Sequence, residues 1–315
     1  MATETGAFDT YEAIGNREDL SDIIYDVTPT ETPFLSALPR NKATGTKHEW
    51  QTDALAAVSS SNFVIEGEAA TIDASIATAR PINYCAISDK TASVTGTQEA
   101  VTSAGRRSDM AYQMGKRMKE LKKDVEAALL ENNAYVAGST SAARECAGMQ
   151  AWVLTNTSIA SDATASSGDG SDAHTDGTAR ALTEDMVETV LASAWTNGGM
   201  PSLGILNAFQ KRKFTGFSGN STRNTDAKDK KLTNSVDVYI DPLGNEIRLV
   251  PCRQVPADVI HFVDPEYVAF SVLRDFRSWE LAKVGDVERR QLLVEYTLEM
   301  RNEKAHAAVY DLTSS

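Results

Sequence analysis

Cysteine is scarce in this chain: Cys85, Cys146 and Cys252 are its only three, and they lie far apart. An odd count without close pairs excludes a disulfide framework and a zinc site of the Cys-x-x-Cys kind. Buried, reduced thiols acting as small apolar groups are expected instead. Histidine is nearly as rare. His48, His174, His261 and His306 are dispersed, whereas zinc ligands cluster, so neither a metal nor a cofactor is expected. Long hydrophobic runs are missing as well. No stretch approaches the roughly 18 apolar residues of a membrane span. Residues 1–10 lack the basic and apolar regions of a secretory signal. The expectation is a protein with no membrane partner that stays in the compartment where it is made. Positive charge is in deficit too: 31 Lys and Arg stand against 44 Asp and Glu, a formal net charge of −13. That balance repels polyanions at long range and excludes a reader of nucleic acid that relies on phosphate contacts.

Catalytic constellations are also absent. The chain has no Gly-rich phosphate loop ending in Lys-Ser or Lys-Thr, no nucleophile elbow and no pair of His four apart. Asp162, Asp169, Asp172 and Asp176 share a Gly-rich stretch, but their spacing lacks the closing Glu of a calcium loop. An oligomeric hydrolase using this acidic loop, 162–176, is the rival reading, and a solvated loop is the plainer one. Lys211-Arg212-Lys213 among Phe209, Phe214 and Phe217 has the composition of a single-strand stacking platform. On so acidic a chain, an exposed face at a subunit contact accounts for it better. No enzyme is expected.

What is present is a mixture of helix and strand patterns, an α+β chain. Asp19–Val27 puts Leu20, Ile23, Ile24 and Val27 on one helical face. Pro29 and Pro33 then break regular structure, and Phe34, Leu35 and Leu38 follow as an apolar anchor. After a cap at Ser108, the apolar residues Ala111, Met114, Met118, Leu121, Val125 and Ala128 recur at intervals of three and four. This spine helix ends near Asn132; about 25 residues at 1.5 Å give a rod of roughly 37 Å. Gly148–Leu154 is a strand candidate. Residues 155–178, rich in Ser, Asp, Ala and Gly, offer little to bury and read as a mobile surface loop. A second helix runs from Thr183 to about Trp195. Leu203–Leu206 is a short strand, and Val236–Ile240 pairs with Ile247–Val250 around Asp241-Pro242-Leu243-Gly244-Asn245. The segment 258–315 reads as one sheet. Within it Leu292, Val294, Tyr296, Leu298 and Met300 alternate with Leu293, Glu295, Thr297, Glu299 and Arg301, a half-buried strand.

Residues 42–89 cannot fold by themselves. Two extended limbs, His48–Asp53 and Pro81–Ser88, flank a stretch with Gly67 near its tip. Their large apolar residues are spread thinly among Ala, Thr and Ser, and a two-stranded ribbon is at best marginally stable in water. Another copy of the chain is the expected cover. Phe34 and Leu35 of the arm, with Trp50, Phe63, Val64, Ile65 and Ile72 of the ribbon, are the expected inter-subunit contacts. Met114, Met118, Leu121 and Val125 are the expected internal core of the spine helix. The third alternative, an adhesive or binding module, requires exposed aromatics on the sheet instead.

Several stretches resemble one family along nearly the whole chain and in the same order. They are Thr28-Pro29-Thr30-Glu31-Thr32-Pro33-Phe34-Leu35, Glu49-Trp50-Gln51-Thr52-Asp53, Val94 to Val101, Leu121 to Leu130, Asn207 to Phe214, and Val236-Asp237-Val238-Tyr239. They are similar to major capsid proteins of tailed bacteriophages. The resemblance implies the Hong Kong 97-like capsid fold: an N-terminal arm (1–41), an extended loop (42–89), a peripheral domain with the spine helix (90–144), an axial domain (145–257) and the peripheral sheet (258–315). It implies self-assembly as pentamers and hexamers into the icosahedral or prolate head shell that holds double-stranded DNA. Portal, scaffold and decoration proteins would be partners, and packaged DNA would be touched only weakly and non-specifically. The place implied is the virion capsid, made in the host cytoplasm. Some relatives weld subunits through a loop Lys. Between Lys47 and Lys90 this chain has none, so covalent cross-linking there is not expected. The arm signature begins within thirty residues of Met1, so a scaffold or protease is expected to be a separate protein.

Overall fold

The alternating strand near the C-terminus lies at the centre of the molecule, and the rest is arranged around it. The computed structural model describes residues 29, 31–70, 72, 75, 77–101, 103, 105–217, 225–226, 231–232 and 237–314. The helix expected over 19–27, Ile76 and most of the polar stretch 218–236 lie outside the described residues. The elements are α1 (Pro33–Ala37), β1 (Arg40–Lys42), β2 (Lys47–Glu49), β3 (Ile82–Tyr84), β4 (Ala86–Thr95), α2 (Gly96–Ala100), α3 (Asp109–Leu130) and β5 (Thr157–Ser158). They continue with α4 (Glu184–Thr196), β6 (Leu203–Leu206), α5 (Ala208–Thr215), the short pair β7 (Thr225–Asp226) and β8 (Lys231–Leu232), β9 (Val238–Ile240) and β10 (Glu246–Pro251). β11 (Ile260–Val263), β12 (Val268–Glu280), β13 (Val287–Met300) and β14 (Ala307–Val309) complete the chain.

β12 and β13 form the long antiparallel hairpin of a four-stranded sheet in the order β1-β12-β13-β4. Leu292, Val294, Tyr296, Leu298 and Met300 are all buried in the main core. The opposite face is also covered: Glu295, Thr297 and Glu299 are buried too. The half-buried strand expected from the alternation is thus fully buried in its C-terminal half, because strand β3 at the ribbon's base packs across it.

A six-stranded sheet has the order β5-β14-β11-β6-β10-β9. Its side chains alternate between two cores. Leu203, Ile205, Val263 and Ala308 enter the main core, while Leu206, Leu249, Phe262 and Val309 face α4 and α5. The segment 258–315 is therefore not one peripheral sheet. β11 and β14 belong to the six-stranded sheet, and β12 and β13 to the four-stranded one. β11, Ile-His-Phe-Val, is buried on both faces, so it needs neighbours on either side and takes β6 and β14.

The spine helix α3 starts where the sequence places its cap: Ser108 Oγ accepts from Ala111 N at 3.2 Å. Its 22 residues span about 33 Å. Leu121 and Val125 are fully buried, as are Leu129 and Leu130, whereas Met114 and Met118 are only half-buried. The apolar stripe is real but the cover is uneven. The first half of the helix rests on Ala92 and Val94 of β4, and the second half enters the main core. Thr183 caps α4, accepting from Met186 N at 3.4 Å.

Two expectations fail for one reason. Gly148–Leu154 is not a strand but holds a 3-10 turn at Met149–Ala151, and 155–178 is packed rather than loose. The backbone just before the first segment, and that of the second, is held by side chains. Asn83 Oδ1 accepts from Ala147 N, and Asn133 Nδ2 donates to Cys146 O. Asn132 receives His174 N and donates to His174 O. Asp311 accepts from Ala160 N and Gly177 N, both at 2.8 Å. Gly170, at φ +79, lies against Trp152 where a Cβ would sit 2.8 Å from the indole. Only a residue free to adopt that backbone, with no side chain, fits there.

Candidate inter-subunit surface

The ribbon is tied down at its base. Lys47–Glu49 pairs with Ile82–Tyr84, and Thr52 bridges to Ala79. Under this base lies the Glu299 carboxylate. Its Oε2 accepts from Asn41 Nδ2 (2.7 Å) and Ser271 Oγ (2.6 Å) and meets His48 Nε2 (2.9 Å), while Oε1 accepts from Arg301 Nε (3.0 Å). Burial works to raise its pKa, but these hydrogen bonds outweigh burial and hold the carboxyl far below the usual range. β1, β2, β12 and β13 thereby meet on one carboxylate. Four residues earlier on the strand, Glu295 accepts from Arg144 at 2.5 Å and Arg274 at 2.6 Å.

The arm is tied down in the same manner. Glu126 of α3, fully buried, accepts from the backbone N–H of Leu35 at the start of α1 and from Cys252 Sγ. Burial raises its pKa, against those hydrogen bonds. Burial also pushes the Cys252 thiol up to about 12. All three cysteines are buried and free.

Among the described residues, the ribbon has no strand pairing between Asp53 and Ala79. Its turn forms at 65–68, where Glu68 N donates to Ile65 O at 3.0 Å and Gly67 takes φ +83. On this projection the large apolar side chains are bare: Phe63 is 87% exposed, Val64 82%, Ile65 77% and Ile72 95%. Leu55 and Val58, which are not among the expected contacts, are wholly exposed. Six such side chains on one projection are an unsatisfied apolar surface. Burying each one contributes about 1.5–3 kcal/mol.

Three other expected contacts lie elsewhere. Phe34 is fully buried in its own chain's core, and Leu35 packs against that core. Trp50 is half-buried, its ring 5.4 Å from that of Trp152. These residues anchor the arm and ribbon to their own body, so their burial does not wait for another copy. A cleft of about 430 Å³ opens beside this anchor, between Thr52, Leu55 and Ala79 on one side and Trp152, Met300 and Glu303 on the other. A further apolar patch lies at the edge of the six-stranded sheet, where Val238, Ile240 and Leu243 are exposed.

Two chemical readings dissolve. The acidic loop folds onto itself: Asp162 holds Thr178, and Asp169 and Asp172 hold Ser167 and Ser171. Among the described residues, His174, Asp176 and Asp311 come within 4.8 Å of one another, but both Asp311 oxygens already accept backbone N–H groups. In the basic cluster Phe214 and Phe217 are buried with Tyr239 rather than offered for stacking. Lys213 and Arg212 lie over Phe209, and Lys211 bonds Asp237.

Glu126, Asn83, Glu295 and Glu299 are the residues that sequence reasoning missed. Their signal was present: each carboxylate interrupts an otherwise apolar stretch of a strongly periodic element. Among the described residues no helix is long and apolar enough to cross a membrane.

A spine helix on a long hairpin sheet, a second sheet with its own helices, and an anchored, apolar projection define a shell-building subunit of the Hong Kong 97-like class. The fold is shared with the capsid asymmetric unit of cyanophage A-1(L), at a TM-score of 0.68, 13% identity and coverage of 98% of this chain and 99% of that one. It is shared also with Mycobacterium phage Adephagia, at a TM-score of 0.62, 12% identity, and 98% and 99% coverage. The chain belongs to the SU10 major capsid protein family, whose model matches residues 3–313. It is 25% identical over 346 aligned positions to the major capsid protein of Escherichia phage Phieco32, covering 98% of each chain. The family is structural, and the protein is a subunit of the shell of a tailed-phage head. The hydrolase alternative finds no support.

Proposed function

We propose that the projecting loop, centred on Phe63, Val64, Ile65 and Ile72 with Leu55 and Val58, is the surface through which copies of this major capsid protein grip one another. The observation that carries it is six bare apolar side chains on a projection whose base is anchored by Trp50 and Glu299. An anchored base holds the loop away from its own body, and a neighbour supplies the cover. In this reading 1–41 is the arm, 42–89 the extended loop, and 90–144 with β12 and β13 the peripheral domain. Residues 145–257, joined by β11 and β14, form the axial domain, which gathers as pentamers and hexamers with β9 at its contact edge. Arg212 and Lys213 face a neighbouring subunit. Portal, scaffold and decoration proteins complete the head, which is assembled in the host cytoplasm and touches its DNA weakly.

Replacing Phe63, Val64 and Ile65 together with Ser tests this. The variant is expected to be soluble, to melt as the unaltered subunit does, and to give no closed particles in negative-stain micrographs. Normal particles would overturn the assignment.

A further inference from the structure

We propose that the acidic tip of the projecting loop, residues 63–68, seats on the exposed face of the spine helix α3 in a second copy of this chain. The inference rests on the loop reading above and adds the surface that receives the loop. On a chain of net charge −13, α3 is an exception: Lys116, Lys119, Lys122 and Lys123 occur within eight residues. At 100° per residue these four fall within an arc of about 120°. Lys116, Lys119 and Lys122 are exposed and Lys123 is partly so. Among the described residues none of the four has a carboxylate within ion-pair distance, although Lys90–Asp124 and Arg117–Glu120 pair nearby at 2.6 Å each. Gly115 falls in the same arc, between Tyr112 and Lys119, and all three are exposed. A Cβ on Gly115 would meet nothing within 4 Å, so its own chain gives no reason for glycine there. Glycine inside a helix costs stability relative to alanine. The bare spot is a notch that a side chain of another molecule can enter.

The loop tip has the complementary chemistry. Glu66 and Glu68 are exposed at its turn, and Glu68 Oε2 accepts from Ile65 N at 3.1 Å, which closes that turn. Among the described residues no lysine or arginine pairs with either carboxylate. Beside them Phe63, Val64 and Ile65 are bare. That exposure means that the tip does not rest on the α3 of its own chain. Acid and base are therefore both unmatched within one copy and matched between two. In the seated pair the apolar side chains fill the notch beside Tyr112, and the carboxylates lie among the lysines. The apolar contact supplies affinity, while the charges set register and speed of encounter. Tip and helix are different patches, so the contact is heterologous and repeats from copy to copy around a ring.

The test is a charge exchange in the full-length chain, read as the yield of closed particles by sedimentation and negative-stain microscopy. Glu66→Lys with Glu68→Lys, and separately Lys119→Glu with Lys122→Glu, are each expected to lower that yield at least about tenfold. Combining all four changes is expected to restore it to within about threefold of the unaltered chain. The restored yield also shows that the lowered yields do not come from misfolding. Gly115→Gln supplies an independent arm. Glutamine suits an open helical position, so the variant is expected to melt at or above the temperature of the unaltered subunit, yet to form few particles because the notch is filled. Either charge pair assembling normally, four changes assembling no better than two, or normal particles from Gly115→Gln would overturn the proposal. If those variants assemble normally while the triple Ser variant does not, the loop reading stands and only the receiving face is wrong.

Discussion

A few buried polar side chains hold the parts of this subunit to one another. Glu299 alone joins the arm strand, the ribbon base and two strands of the sheet. Its carboxyl is held below its ordinary value near 4.5, so it contributes stability that is present above that pH and lost as pH falls through the depressed value. Glu299→Gln is expected to cost about 3 kcal/mol, the size of breaking a buried charged network, read as a lowered melting temperature at pH 7. The penalty should shrink in acid, where the unaltered carboxyl is also neutral. The buried histidines act in the same direction at higher pH. Burial lowers the pKa of His261 to about 3 and of His306 to about 4. Both are neutral in the fold, with His306 Nδ1 accepting from Asp264 N. A depressed pKa means that their stability is present above about 6.5 and is lost as pH drops toward 4. A thermal-melt series from pH 7 to pH 4 should therefore fall steadily, and a flat series would refute the assignment.

At the scale of elements, the sequence was readable wherever structure is local. Ser108 and Thr183 mark the starts of α3 and α4 because a hydroxyl cap acts within three residues. Asp241 to Asn245 marks the β9–β10 turn for the same reason. Readability ended where distant partners decide. Nothing near Phe34 or Trp50 announces that α3 and Trp152 will cover them. The division of 258–315 between two sheets depends on β6, over fifty residues away. The polar composition of 155–178 predicts a loose segment because it offers little to bury. In fact Asn132, Asp162 and Asp311 organise it by hydrogen bonds. Of the proposed contact surface, the loop's apolar residues are legible in the sequence, while the carboxylates that steady its base carry a signal, an interrupted apolar stretch, that does not say which distant donors they will meet. Gly170 tests how firmly the packed segment supports the ribbon. Gly170→Ala is expected to destabilise the subunit by about 1–3 kcal/mol through a strained backbone and a clash with Trp152. The change in Trp fluorescence should precede global unfolding, because the Trp152 ring also packs at a tilt against Trp50.

For the whole molecule, the absence of Lys between Lys47 and Lys90 leaves the proposed loop contacts without an amine of their own. Particles dissociated by heat and detergent are expected to run as a single monomer band on a denaturing gel, and a ladder of multiples would contradict this. Strength must then come from many weak apolar contacts. At about 1.5–3 kcal/mol for each buried side chain, one loop supplies an amount comparable to the stability of a whole domain. Such contacts are individually reversible.

The anchored base has one more consequence. From Glu49 to Gly67 the chain reaches at most about 60 Å, and its base is held where His48 meets Glu299. The projection is a lever on a short fulcrum: tilting by about 5° sweeps its end through roughly 5 Å at that length. One polypeptide can thus meet neighbours at unequal inclinations, flat in one place and domed in another, without rebuilding anything inside itself.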